Sequence, residues 1–180
     1  MSDEQLLAGI VQGNPRAIEN LYREYRPRLA AFLSRLAPRC ENIDEMINDT
    51  MMVVWQRADG FRGSSKISTW IFGIAYRIAM KTLRQNRRWS ANLAYAQIEA
   101  TTDPTRQEEE CDWLTQGLAR LSPDHCASLM LIYHQGHSAR EVSDMTHSPV
   151  GPIKARLWHA RNSLRHHLEK LSGHRARNCN

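Results

Sequence analysis

The chain has 180 residues, 42% apolar and 24% charged, with 24 Lys+Arg against 19 Asp+Glu and a formal net charge of +5. This composition predicts one ordinary folded domain or two small ones and excludes global disorder, collagen-like and low-complexity fibres. No stretch approaches the ~18 uninterrupted apolar residues of a membrane span, and the acidic start lacks a signal-peptide core. The four cysteines are scattered without a CxxC, so a reducing cytoplasm is expected and a disulfide framework is not.

Helical periodicity runs through most of the chain. Over residues 15–36, Ile18, Leu21, Tyr22, Tyr25, Leu29, Phe32 and Leu33 recur at three- and four-residue steps, and Pro27 is expected to break or kink the run. Residues 43–57 predict a second helix. Ile43, Met46, Ile47, Thr50, Met51 and Val54 form its apolar stripe, with Asp44, Glu45, Asn48, Asp49 and Met52 opposite. Residues 58–66, ADGFRGSSK, have the composition of a loop. A third helix is expected over 68–85, with Ile71, Ile74, Ala75, Ile78 and Leu83 inward. Arg77, Lys81 and Arg84 share one of its faces, and Arg87 and Arg88 follow. Residues 97–111, QIEATTDPTRQEEEC, read as an acidic linker with too few large apolar groups to order itself.

Beyond the linker, helices are expected over 113–121 and 124–134, the second started by Ser122-Pro123. Ser138 with Glu141 makes a capping box for a short helix over 139–145. A turn at Thr146-His147 and an expected cap at Ser148, before Pro149, lead into a longer basic helix ending near Lys170. A short helix, a tight turn and a longer basic helix predict a helix-turn-helix whose second helix enters a major groove. With no strand-like alternation of useful length, the expected fold is all-α, in two small helical domains.

Charge follows the same division. Residues 1–96 carry 14 basic and 9 acidic residues, 97–112 carry 1 and 6, and 113–180 carry 9 and 4. Two basic blocks around an acidic one favour a polyanionic partner, most often nucleic acid. All eight histidines lie beyond residue 124, so the last block gains charge in acid. Cys126, His134, His137 and His147 fit no standard zinc spacing, so no metal or cofactor is expected. No phosphate loop, nucleophile elbow or catalytic carboxylate pair suggests an enzyme.

Two runs carry a family resemblance. DEMINDTMMVVW over 44–55 with DGFRGSSKISTWIFGIAYR over 59–77 resembles region 2 of bacterial extracytoplasmic-function (group IV) sigma factors. LSPD over 121–124 with HSAREVSDMTHSPVGPIKARLWHAR over 137–161 resembles region 4 of the same family. The likeness covers about residues 10–88 and 113–170 in the family's order and spacing. It implies region 2 over 1–96, an acidic linker over 97–112, region 4 over 113–172 and a basic tail over 173–180. It also implies a non-enzymatic, cytoplasmic subunit, monomeric when free, that binds core RNA polymerase at the clamp of the largest subunit and the flap of the second-largest. Promoter DNA and an anti-sigma factor, often membrane-tethered, are the other implied partners. In the clasped state such an inhibitor covers both DNA-binding domains.

The resemblance assigns roles residue by residue. Asp44, Glu45, Asn48, Asp49 and Met52 correspond to the clamp-docking face, and Trp55 adds contact area there or belongs to the core. Phe61, Arg62, Gly63 and Ser64 correspond to a loop that captures a base flipped from the −10 element, and Thr69, Ile74 and Arg77 to neighbouring −10 contacts. Lys81 and Arg84 then follow phosphates. Trp70 and Tyr76 suit a buried core equally well. Lys154, Ala155, Trp158 and His159 correspond to −35 readers, with Arg156 and Arg161 on phosphates. Pro152 departs from the family's usual threonine or serine, and Ala155 from a frequent polar residue. The competing reading is a helix-turn-helix regulator that binds duplex DNA without polymerase.

Overall fold

This computed structural model describes residues 3–38, 40, 42–94 and 117–177, without the side chains of 87–94, 168 and 170–177. The described residues are all-α, as expected. The acidic stretch 97–112 and most of the helix expected over 113–121 lie outside them, apart from a helical turn at 117–119.

The chain begins with a helix that the sequence reading missed, α1 (Asp3–Val11), which buries Leu6, Leu7 and Ile10. It leads into α2 (Pro15–Leu36), capped by Asn14, whose side chain accepts from the Arg16 amide at 3.0 Å, with Pro15 in the first turn. α2 runs unbroken through Pro27, against expectation. Pro27 lies on the exposed side, where water can serve the carbonyl it leaves unpaired. The opposite side buries Tyr25, Leu29 and Phe32 completely.

α3 (Ile43–Arg57) buries Met46, Ile47, Thr50, Met51 and Val54, most of the expected stripe. The Thr50 hydroxyl donates to the Met46 carbonyl at 2.7 Å, which lets a polar residue sit in the core. A 3-10 turn at Ala58–Gly60 and an irregular stretch through Lys66 precede α4 (Ile67–Ala94). α4 outlasts the expected 68–85 at its C-terminal end.

The second half opens with α5 (Pro123–Leu129), capped by Ser122 as expected, its hydroxyl accepting from the His125 amide at 3.4 Å. The helix expected to reach 134 instead widens into a π-helical turn over Met130–His134. There the Gln135 amide bonds the Met130 carbonyl and the His137 amide the Leu131 carbonyl, both at 3.0 Å, as Gly136 turns the chain at φ 74°. α6 (Ala139–Thr146) carries the full capping box. The Ser138 amide donates to Glu141 at 2.7 Å, and the Glu141 amide donates to the Ser138 hydroxyl at 3.2 Å.

His147, left-handed at φ 50°, ends α6. α7 (Val150–Arg177) starts two residues beyond Ser148 and continues past the expected end. Ser148 is therefore not its cap residue. The Ile153 amide bonds the Pro149 carbonyl, and Pro152 falls in the first turn, where no amide donor is missed.

The two halves share one core. Phe72 of α4 meets Phe32 of α2 edge-on at 5.5 Å and His137 at 5.6 Å. The Arg28 guanidinium lies over the rings of Tyr25 and Phe72 at 5.1 and 5.4 Å and donates to Gln135 at 3.2 Å. α4 packs along α6, with Gly73 facing it, where an added Cβ would sit 3.5 Å from the Met145 backbone. The Cys126 thiol donates to the Arg35 carbonyl at 3.3 Å, and burial pushes its pKa up to about 11, so it is an inert structural thiol.

Candidate nucleic-acid interface

Three surfaces gather the residues singled out in the sequence. The first is the outer face of α3, where Asp44, Glu45, Asn48, Asp49 and Met52 are all exposed. α2 braces this face. Arg26 pairs with Asp44 at 2.9 Å, and the Tyr22 hydroxyl donates to Asn48 at 3.1 Å. Met52 is 49% exposed and Trp55 57%, which settles Trp55 on the surface rather than in the core. Large apolar groups beside carboxylates leave a patch suited to a basic partner with apolar contact area.

The second surface is the loop and α4. Arg62, Gly63 and Ser64 are exposed, and Gly63 adopts φ 67°, a conformation that favours glycine. Phe61 is half-buried, tilted against Trp70 at 5.1 Å between ring centroids. A cleft of about 750 Å³ lies beside it, lined on the far side by Leu7 and Val11 of α1. That wall belongs to the helix missed in the sequence. Its signal was the Leu6, Leu7 and Ile10 spacing.

The remaining −10 candidates divide. Lys81 and Arg84 are exposed and line a second cleft of about 530 Å³ with Tyr76, Arg77 and Thr146. Thr69 and Ile74 are buried. The Thr69 hydroxyl donates to Glu141 of α6 at 3.2 Å, and the Arg77 guanidinium donates to the Met145 carbonyl at 3.4 Å. Desolvation, then Arg57, lowers the pKa of Arg77. The Tyr76 hydroxyl donates to Asp124 of α5 at 2.8 Å. Burial and then this bond raise its pKa. The helix-turn-helix unit therefore covers part of the α4 surface in this state.

The third surface is α7. Lys154, Ala155, Trp158, His159 and Arg161 are exposed and Arg156 half-buried. Arg156 donates to the Ser148 hydroxyl at 3.4 Å, and Arg161 to the Tyr133 hydroxyl at 3.2 Å. His159 lies between Trp158, edge-on at 4.8 Å, and His125, stacked at 6.1 Å. Guanidinium and lysine groups on an exposed helix face suit phosphate and guanine contacts.

Residues 21–89 match the family model for sigma-70 region 2. The chain is 27% identical to the extracytoplasmic-function RNA polymerase sigma factor SigM of Mycobacterium tuberculosis, over 91% of this chain and 83% of SigM. It is also 27% identical to the sigma factor RpoE of Cereibacter sphaeroides, over 84% and 86% of the two chains. The chain belongs to the extracytoplasmic-function group of sigma-70 factors.

Solved structures of similar fold include the sigma factor RpoE with the anti-sigma factor NepR from Bartonella quintana. Its TM-score is 0.68 at 24% identity, covering 84% of this chain and 98% of that one. CnrH with the cytosolic domain of CnrY gives a TM-score of 0.69 at 21% identity, covering 93% and 97%. The chain is an alternative sigma factor, not a plain helix-turn-helix regulator. In this sigma factor no helix of the described residues is long and apolar enough to cross a membrane.

Proposed function

We propose that this sigma factor binds core RNA polymerase through the outer face of α3, directs it to −35/−10 promoters and assists their opening, in the cytoplasm and without enzymatic activity of its own. The observation that carries this reading is the α3 surface. A protein that only reads duplex DNA has no use for exposed Met52 and Trp55 set among Asp44, Glu45 and Asp49. The clamp of the largest polymerase subunit is the proposed partner there, and the flap of the second-largest is the proposed partner of region 4.

Residues 1–96 form region 2 in this reading, 97–112 the linker, 113–172 region 4 and 173–180 a basic tail. Phe61, Arg62, Gly63 and Ser64 take the flipped −10 base. Thr69, Ile74 and Arg77 contact the same element once α6 has moved away, and Lys81 and Arg84 follow phosphates. On α7, Lys154, Ala155, Trp158 and His159 read the −35 element, and Arg156 and Arg161 hold its backbone. An anti-sigma factor is proposed as the partner that holds the chain inactive, a reading supported by the similar fold of the sigma factor RpoE bound to the anti-sigma factor NepR.

The test is binding of the purified chain to sigma-free core polymerase. Asp44→Lys with Asp49→Lys is expected to weaken binding at least tenfold at ordinary ionic strength, with less difference at high salt. Equal affinity of variant and parent would refute docking through α3.

A further inference from the structure

The seam between α4 and the helix-turn-helix unit contains a buried histidine that neither DNA reading nor polymerase docking uses. His137 is only 4% exposed, and among the described residues its Nε2 has no hydrogen-bond partner. Its backbone amide is tied to Leu131 and its ring lies against Phe72, so the imidazole is wedged between the two halves. An imidazolium there would carry a buried N–H with no acceptor.

The charged groups acting on it come from three elements: Glu141 from α6, Arg28 from α2 and Lys66 from the loop before α4. Arg28 and Lys66 oppose a second positive charge. Glu141 favours one, but its carboxylate already accepts from the Ser138 amide and Thr69 and pairs with Lys66 at 3.3 Å. We propose that this seam is an acid-released latch: neutral His137 holds region 2 and region 4 together, and its protonation parts them.

The direction follows from linkage. Burial, the largest effect, lowers the pKa of His137 below 6.5 in the closed form. A proton therefore binds more readily when the seam is open. The closed form keeps its full stability above pH 6.5 and weakens as pH falls, by up to about tenfold per pH unit for one proton. Opening would free Thr69 from Glu141 and Arg77 from the Met145 carbonyl. The link to −10 recognition rests on the proposed function, whereas the opening itself rests on packing alone.

Resonance energy transfer between dyes on noncanonical residues at the exposed positions Gln56 and Ser163 follows the opening in the full chain. Transfer is expected to be high at pH 7.5 and to fall as pH drops below 6.5, with helicity retained by circular dichroism. His137→Phe keeps an aromatic ring on Phe72 and should abolish the response, and His137→Asn, smaller and uncharged, should do the same. A flat parent response would overturn the latch, and so would an unchanged response in both His137 variants.

Discussion

Glu141 ties together three parts of the molecule. It caps α6 through Ser138, accepts from Thr69 of α4 and pairs with Lys66 ahead of that helix. Partial burial alone would raise its pKa. The hydrogen bonds from Ser138, Lys66 and Thr69 outweigh that and hold it near about 2, down from 4.5. At about 1.4 kcal/mol per pH unit, this drop sets a ceiling of roughly 3 kcal/mol on what the charge contributes. Lys66 is 70% exposed, so its share is screened to about 0–1 kcal/mol.

Glutamine keeps the length and the cap of a capping box. Glu141→Gln should therefore cost about 1–2 kcal/mol at pH 7, read as a lower urea midpoint at unchanged slope. Because the folded pKa is depressed, the contribution is complete above pH 4.5 and is lost as pH falls through about 2. The deficit of the variant should shrink across that window. A deficit below about 0.3 kcal/mol at pH 7, or one that stays constant down to pH 2.5, would refute this role for the charge.

Phe72→Ala should destabilise the chain by about 3–5 kcal/mol, because the ring is fully buried between Phe32 and His137. A loss under about 1 kcal/mol by urea unfolding would mean that the shared core is not formed as described. Tyr76→Phe removes the bond to Asp124 and should cost about 1–2 kcal/mol, and Asp124→Asn should add little once it is gone. Additive losses would show that the two groups do not interact. His147→Gly should stabilise the chain by about 0.5–1 kcal/mol, since glycine accepts the left-handed turn after α6 without strain. A lower melting temperature would contradict that geometry.

Local rules carried most of the fold. Ser122-Pro123, the Ser138–Glu141 box and the Met46, Ile47, Thr50, Met51 and Val54 stripe depend on neighbours within one turn, and each formed as read. The misreadings came from tertiary context. Pro27 continues a helix because its opposite face is held by the core, and the π-helical turn at Met130–His134 answers to the Gly136 bend.

The site was legible as a set of residues but not as a state. Helical spacing put Ile74 inward, while family resemblance made it a DNA contact. The structure buries it, as the helical spacing has it, while its neighbours Thr69 and Arg77 bond to the helix-turn-helix unit, which no periodicity within α4 identifies. Glu141 was read as a cap, and its reach to Thr69 and Lys66, about 70 residues away in sequence, had no local signature.

The most direct test of the central claim is run-off transcription by sigma-free core polymerase from a pool of genomic promoters, with and without this chain. Specific transcripts sharing −35 and −10 motifs, and lost on charge reversal of Asp44, Glu45 and Asp49, are the predicted result. Binding of the chain to duplex DNA with no transcript from any promoter would contradict it.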